Sequence, residues 1–104
     1  MDIVTVSIAC ANGHQAQEIA QHLVENRLAA CAQTHSIRST YIWQDAMEFS
    51  AEVMLTAKTV TAKLPQIEAA VVALHSYDVP EILAQPVTWC SESYAAWLHE
   101  TLKG

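Results

Sequence analysis

Residues Cys31–Ala57 read CAQTHSIRSTYIWQDAMEFSAEVMLTA, and this stretch decides the fold. From Cys31 to Trp43 the residues turn to Thr, Ser, Ile, Tyr and Trp, side chains that suit a long pleated strand. Met47, Phe49, Ala51, Val53, Leu55 and Ala57 then alternate with mostly polar neighbours, the period of two that marks a strand with two unlike faces. Between them Gln44-Asp45-Ala46 is the turn. Two long strands joined by about three residues make a hairpin.

Working outward, Val4, Val6, Ile8 and Cys10 alternate with Ile3, Thr5, Ser7 and Ala9 to give a first strand. Asn12-Gly13 breaks it, and Asn12 with Gln15 three residues on has the spacing of a capping box. From Ala16 the apolar residues Ile19, Ala20, Leu23 and Val24 form the stripe of an amphipathic helix that ends near Asn26-Arg27. Beyond the hairpin, Pro65 belongs in a helical first turn, so a second helix starts within Thr61–Leu64 and buries Leu64, Ile67, Val71 and Leu74. Val79-Pro80 disfavours its continuation. Glu81 to Val87 reads as a short strand, with Pro86 pointing to a sheet edge. Ser91 caps a last helix with Tyr94, Trp97, Leu98 and Thr101 on one face. The order β-α-β-β-α-β-α makes an α+β fold: a ferredoxin-like βαββαβ sandwich with an added C-terminal helix.

The 104 residues fit one domain, 1–104, without linker or repeat. Apolar residues make up 52% and charged residues 15%, an apolar excess that points to a subunit interface. A formal net charge of −6 repels a phosphate backbone, so nucleic acid is not an expected partner and cations are. Cys10, Cys31 and Cys90 are an odd number with no close pair, which suits a reducing compartment. With no signal-like start and no apolar run of membrane-spanning length, a cytoplasmic protein is expected.

Alternating strand directions bring the end of the first strand (Cys10), the start of the first helix (His14), the hairpin tip (Trp43, Asp45) and the end of the second helix (His75) to one edge. Cys31 and Cys90 fall at the other. A thiolate and an imidazole at one edge suit soft or borderline ions such as copper or zinc, with Asp78 or Glu81 as an oxygen donor. Cys10 reads equally as a small buried hydrophobe at a strand end, and His75 as a histidine favoured by a helix C-terminus. His14 and His35 read as solvated, and Cys31 as core packing. The chain shows no third residue to orient a Cys/His nucleophile and has only Gly13 and Gly104 for a phosphate cradle or oxyanion hole, so an enzyme is not expected.

Five segments, in order over nearly the whole chain, resemble the CutA divalent-cation tolerance family. They are Leu23-Val24-Glu25-Asn26-Arg27-Leu28-Ala29-Ala30-Cys31, Tyr41-Ile42-Trp43, Glu52-Val53-Met54-Leu55-Thr56-Ala57-Lys58-Thr59, His75-Ser76-Tyr77-Asp78-Val79-Pro80-Glu81 and Tyr94-Ala95-Ala96-Trp97-Leu98. Ser76 stands where that family usually carries Pro, which implies a less rigid loop after His75. Gln44-Asp45-Ala46 replaces its x-Gly-Lys tip, so Asp45 is expected to take the left-handed turn conformation. The resemblance implies a homotrimer associated through the hairpins, similar in shape to the PII signal proteins, with clefts between subunits lined by Trp43, Tyr77 and Glu81. It also implies a role in the response to divalent metal ions, copper above all, with His75 and Cys10 as metal ligands.

Overall fold

A computed structural model describes residues 1–103. The chain forms β1 (Ile3–Cys10), α1 (Gly13–Glu25), β2 (Cys31–Trp43), β3 (Ala46–Val60), α2 (Leu64–Leu74), β4 (Ile82–Pro86) and α3 (Glu92–Leu102). The four strands make one antiparallel sheet in the order β2-β3-β1-β4. This is the expected ferredoxin-like arrangement with one extra helix. Pro86 lies at the end of β4, an edge strand, where its missing N–H costs no ladder bond.

The hairpin turn is tighter than its sequence implied. Trp43 pairs with Ala46, leaving a loop of only Gln44 and Asp45. Both have positive φ, 50° and 64°, so the left-handed conformation falls on two non-glycine residues rather than on Asp45 alone. That geometry matches the strand twist, as type I′ turns do. β3 runs on to Val60, three residues past the last alternating Ala57. A short 3-10 turn, Thr61–Lys63, then leads into α2, where Pro65 sits in the first turn as expected.

The helix ends follow capping chemistry. The Asn12 side chain accepts from the Gln15 N–H at 2.8 Å, while Gln15 Oε1 accepts from Ala11 N–H at 3.0 Å, so the reciprocal bond of the box falls one residue early. α1 closes with Arg27 at φ 57°, with Arg27 N–H donating to Val24 C=O and Leu28 N–H to Leu23 C=O. These are the two bonds of a Schellman motif. Ser91 Oγ caps α3 through the Tyr94 N–H.

The core lies between the sheet and the α1/α2 layer. Val4, Val6, Ile8 and Cys10 of β1 meet Ile19 and Leu23 of α1, Leu55 and Ala57 of β3, and Ile67 and Val71 of α2. A second cluster joins Ile3, Ala30 and Val60 to Leu98 and Leu102, which seats α3 at one end of the other sheet face. Arg27 Nη1 donates to the Thr101 carbonyl at 2.9 Å and His99 meets Asp2 at 2.9 Å, fixing α3 further. The distal half of the hairpin is uncovered. Ile42, Met47 and Phe49 are 65%, 62% and 72% exposed. The Cα radius of gyration, 14.2 Å, exceeds the roughly 12.8 Å of a compact chain this long, because the hairpin projects.

Candidate functional site

At the hairpin-tip edge a cleft of about 620 Å³ opens between β2, β3 and the loop after α2. Trp43, Tyr77 and Glu81 all line it, beside Tyr41, Glu52 and Asp78. The charged side chains on its wall, among the described residues, are carboxylates only.

His75 is the residue after α2, held by its N–H to the Val71 carbonyl at 2.8 Å. Its ring turns inward and is buried. Nε2 lies 2.7 Å from the Ala9 carbonyl, and Nδ1 accepts from the Tyr77 N–H at 3.1 Å. A carbonyl can only accept and an amide N–H only donate, so this network assigns the ring proton to Nε2. Both nitrogens are therefore engaged. The imidazole ties the end of β1 to the start of the loop and packs on the Tyr77 ring, with centroids 4.7 Å apart.

Tyr77 carries the chain of bonds onward, its hydroxyl donating to Glu52 Oε2 at 2.8 Å. Burial, with the bond to the Glu52 carboxylate, pushes the phenol up to about 12, so it stays a donor. Glu52 is only 6% exposed. Fully buried side-chain polar atoms among the described residues all have partners, and Glu52 makes this single bond, so its second oxygen keeps some solvent contact. Register explains its position. Val53 pairs with Cys10, which puts Glu52 at the end of β1, one residue along β3.

Cys10 is fully buried on the helix side of the sheet, its thiol directed at the Ile8 carbonyl at 3.7 Å. Burial, then the Glu52 carboxylate, pushes that thiol up to about 11. Cys10 lies on the helix face of β1 and Glu52 on the opposite face of the sheet, one residue along β3, while His75 binds the end of β1; of the three only Glu52 lines the cleft. Among the described residues, no three His, Cys, Asp or Glu side chains are arranged to hold a metal ion. His14 and His35 are solvent-exposed, and Cys31 and Cys90 are half-buried and unpaired. Ser76 is tied to α1: its Oγ accepts from Gln15 Nε2 at 2.9 Å. That bond replaces part of the rigidity a proline would bring. Glu52 escaped sequence reasoning as a site residue because it occupies the polar half of an alternating strand.

The model of the CutA1 divalent ion tolerance protein family matches residues 4–101. The chain belongs to that family. It is 40% identical over 96 residues to the divalent-cation tolerance protein CutA of Thermus thermophilus, covering 91% of this chain and 93% of that one. It is 36% identical over 94 residues to the mouse protein CutA, 89% of this chain but only 53% of the relative's length. The solved periplasmic divalent cation tolerance protein CutA of Archaeoglobus fulgidus superposes with a TM-score of 0.94 at 30% identity, over 96% of this chain and 98% of that one. The CutA1 match spans every element that builds the cleft, from β1 to the loop after α2. The family is named for tolerance of divalent ions, not for a reaction.

Proposed function

We propose that this chain binds divalent metal ions, copper foremost, as part of the response to them, and that it acts by binding rather than by turnover. The observation that carries this is a cleft whose charged walls are all carboxylates, beside the strand end where Cys10 lies and His75 is bound. Glu81 and Asp78 attract the cation, and Cys10, Glu52 and His75 become its ligands only when this end rearranges, a thiolate-imidazole-carboxylate set suited to copper or zinc. Binding rearranges this end. His75 releases the Tyr77 amide, and Cys10 gives up a proton held to about pH 11, a loss that coordination to the metal compensates. The working form is a homotrimer joined through the exposed apolar hairpins, and the free cysteines suit the cytoplasm.

A copper titration of the reduced protein against a competing chelator tests this. Wild type is expected to bind tighter than about 10 μM, and His75→Ala, Cys10→Ser and Glu52→Gln to lose at least tenfold each. Weak binding, alike in all four proteins, would contradict the proposal. A second reading, a sensor trimer that takes a small molecule in the cleft, is favoured by the cleft's size. About 620 Å³ is the scale of small-molecule sites and much larger than an ion needs.

A further inference from the structure

We propose that the mouth of this cleft is a recognition site for a small organic ammonium cation, a ligand distinct from the metal. The inference rests on the reading of the cleft as a small-molecule site and names the chemistry of its occupant. Three observations converge on it.

The walls are aromatic. Tyr41, Trp43 and Tyr77 line the space from β2 and from the loop after α2. Aromatic faces attract cations whose charge is weakly hydrated and spread over carbon. A small, strongly hydrated metal ion gains less from such walls than an alkylammonium does.

The charge balance is one-sided. Glu52, Asp78 and Glu81 contribute negative charge, and among the described residues no Lys, Arg or His side chain lines the cleft to neutralise them. They stand around the wall rather than converging as a ligand set for an ion. Separated carboxylates suit a ligand of molecular size, which meets one with an N–H or N–CH3 group and the others at longer range.

The third observation concerns Glu52 itself. It is only 6% exposed, Tyr77 bonds one of its oxygens, and the residue borders this cleft and the smaller one beside Ser36–Arg38. A carboxylate so far removed from water is costly unless a cation or donor completes its shell. Because Glu52 lines the cleft, a cation bound there can reach it. No rearrangement of His75 or Cys10 is needed, because neither lines this space. Glu52 is shared by the two ligands, whereas His75 and Cys10 concern the metal alone.

The test is calorimetric titration of the chelator-treated, metal-free oligomer with choline, beside its uncharged isostere 3,3-dimethylbutan-1-ol. Choline is expected to bind saturably with a Kd below about 1 mM, and the isostere at least tenfold more weakly. Trp43→Ala and Glu52→Gln should each weaken choline at least fivefold. Glu81→Gln, at a solvent-exposed position, should weaken it at least twofold. Equal binding of the isostere would overturn the cation inference while leaving a small-molecule cleft. Absence of binding by both compounds would overturn the cleft reading as well.

Discussion

Glu52 and Tyr77 hold each other in place, and each would be costly alone. Tyr77→Phe leaves a nearly buried carboxylate without its donor, so the protein should lose about 1–3 kcal/mol of stability, read from the midpoint of urea unfolding. An unchanged midpoint would mean that water replaces the phenol freely. Two groups here make stability fall at high pH. The Cys10 thiol rises from 9.0 to about 11 on folding and the Tyr77 phenol from 10.0 to about 12, through burial first and the Glu52 carboxylate second. A raised native pKa means that the unfolded chain loses its proton first as pH rises, so stability is whole below pH 9 and declines from there to about 12. Melting temperatures measured from pH 8 to 12 should fall, and Cys10→Ala should flatten the part between 9 and 11. An identical slope in the variant would remove Cys10 from the account. Glu52 shows what a strand pattern hides at this scale. Alternation separates the two faces of β3, but its polar face is not uniformly wet, and only the register with Cys10 and the loop after His75 shows which carboxylate is enclosed.

At the scale of elements, nearly all of the fold was legible, because each element carries a local physical signal. Asn12 and Ser91 cap their helices through the expected side-chain bonds, Pro65 opens α2, and Pro86 ends an edge strand. Turn geometry was less legible. Gln44 and Asp45 are poor markers of a two-residue turn, and what selects it is the pairing of Trp43 with Ala46. Since Asp45 sits at φ 64°, Asp45→Gly should stabilise by about 0.5–1 kcal/mol, measured by chemical denaturation. A destabilised variant would show that the Asp side chain contributes more than its backbone conformation costs. The loop after His75 illustrates a compensation that sequence alone does not display. Ser76 lacks proline's rigidity, but Gln15, already part of the α1 cap, reaches across to it.

For the whole molecule, the projecting hairpin and the acidic cleft belong to one design. Ile42, Met47 and Phe49 are too exposed and too apolar to be left in water on the outer half of a long hairpin. If the proposed trimer forms through this hairpin, Phe49→Glu with Met47→Glu should shift sedimentation toward monomer, and an unchanged mass would place the interface elsewhere. The likeness to CutA relatives reaches across all the elements that frame the cleft, which is why the region was legible in the sequence as a set of segments. What was not legible is the inner arrangement, since the hydrogen bonds of His75 depend on a carbonyl sixty-six residues away. The central claim is that a divalent ion is taken at this inner end. The most direct test is to add substoichiometric Cu(II) to the reduced, isotope-labelled protein and record amide broadening by NMR. Loss of signals centred on Ala9–Ala11, Glu52–Val53 and His75–Tyr77 is expected. Broadening centred instead on Cys31 and Cys90 at the opposite edge, or spread evenly over the surface, would contradict it.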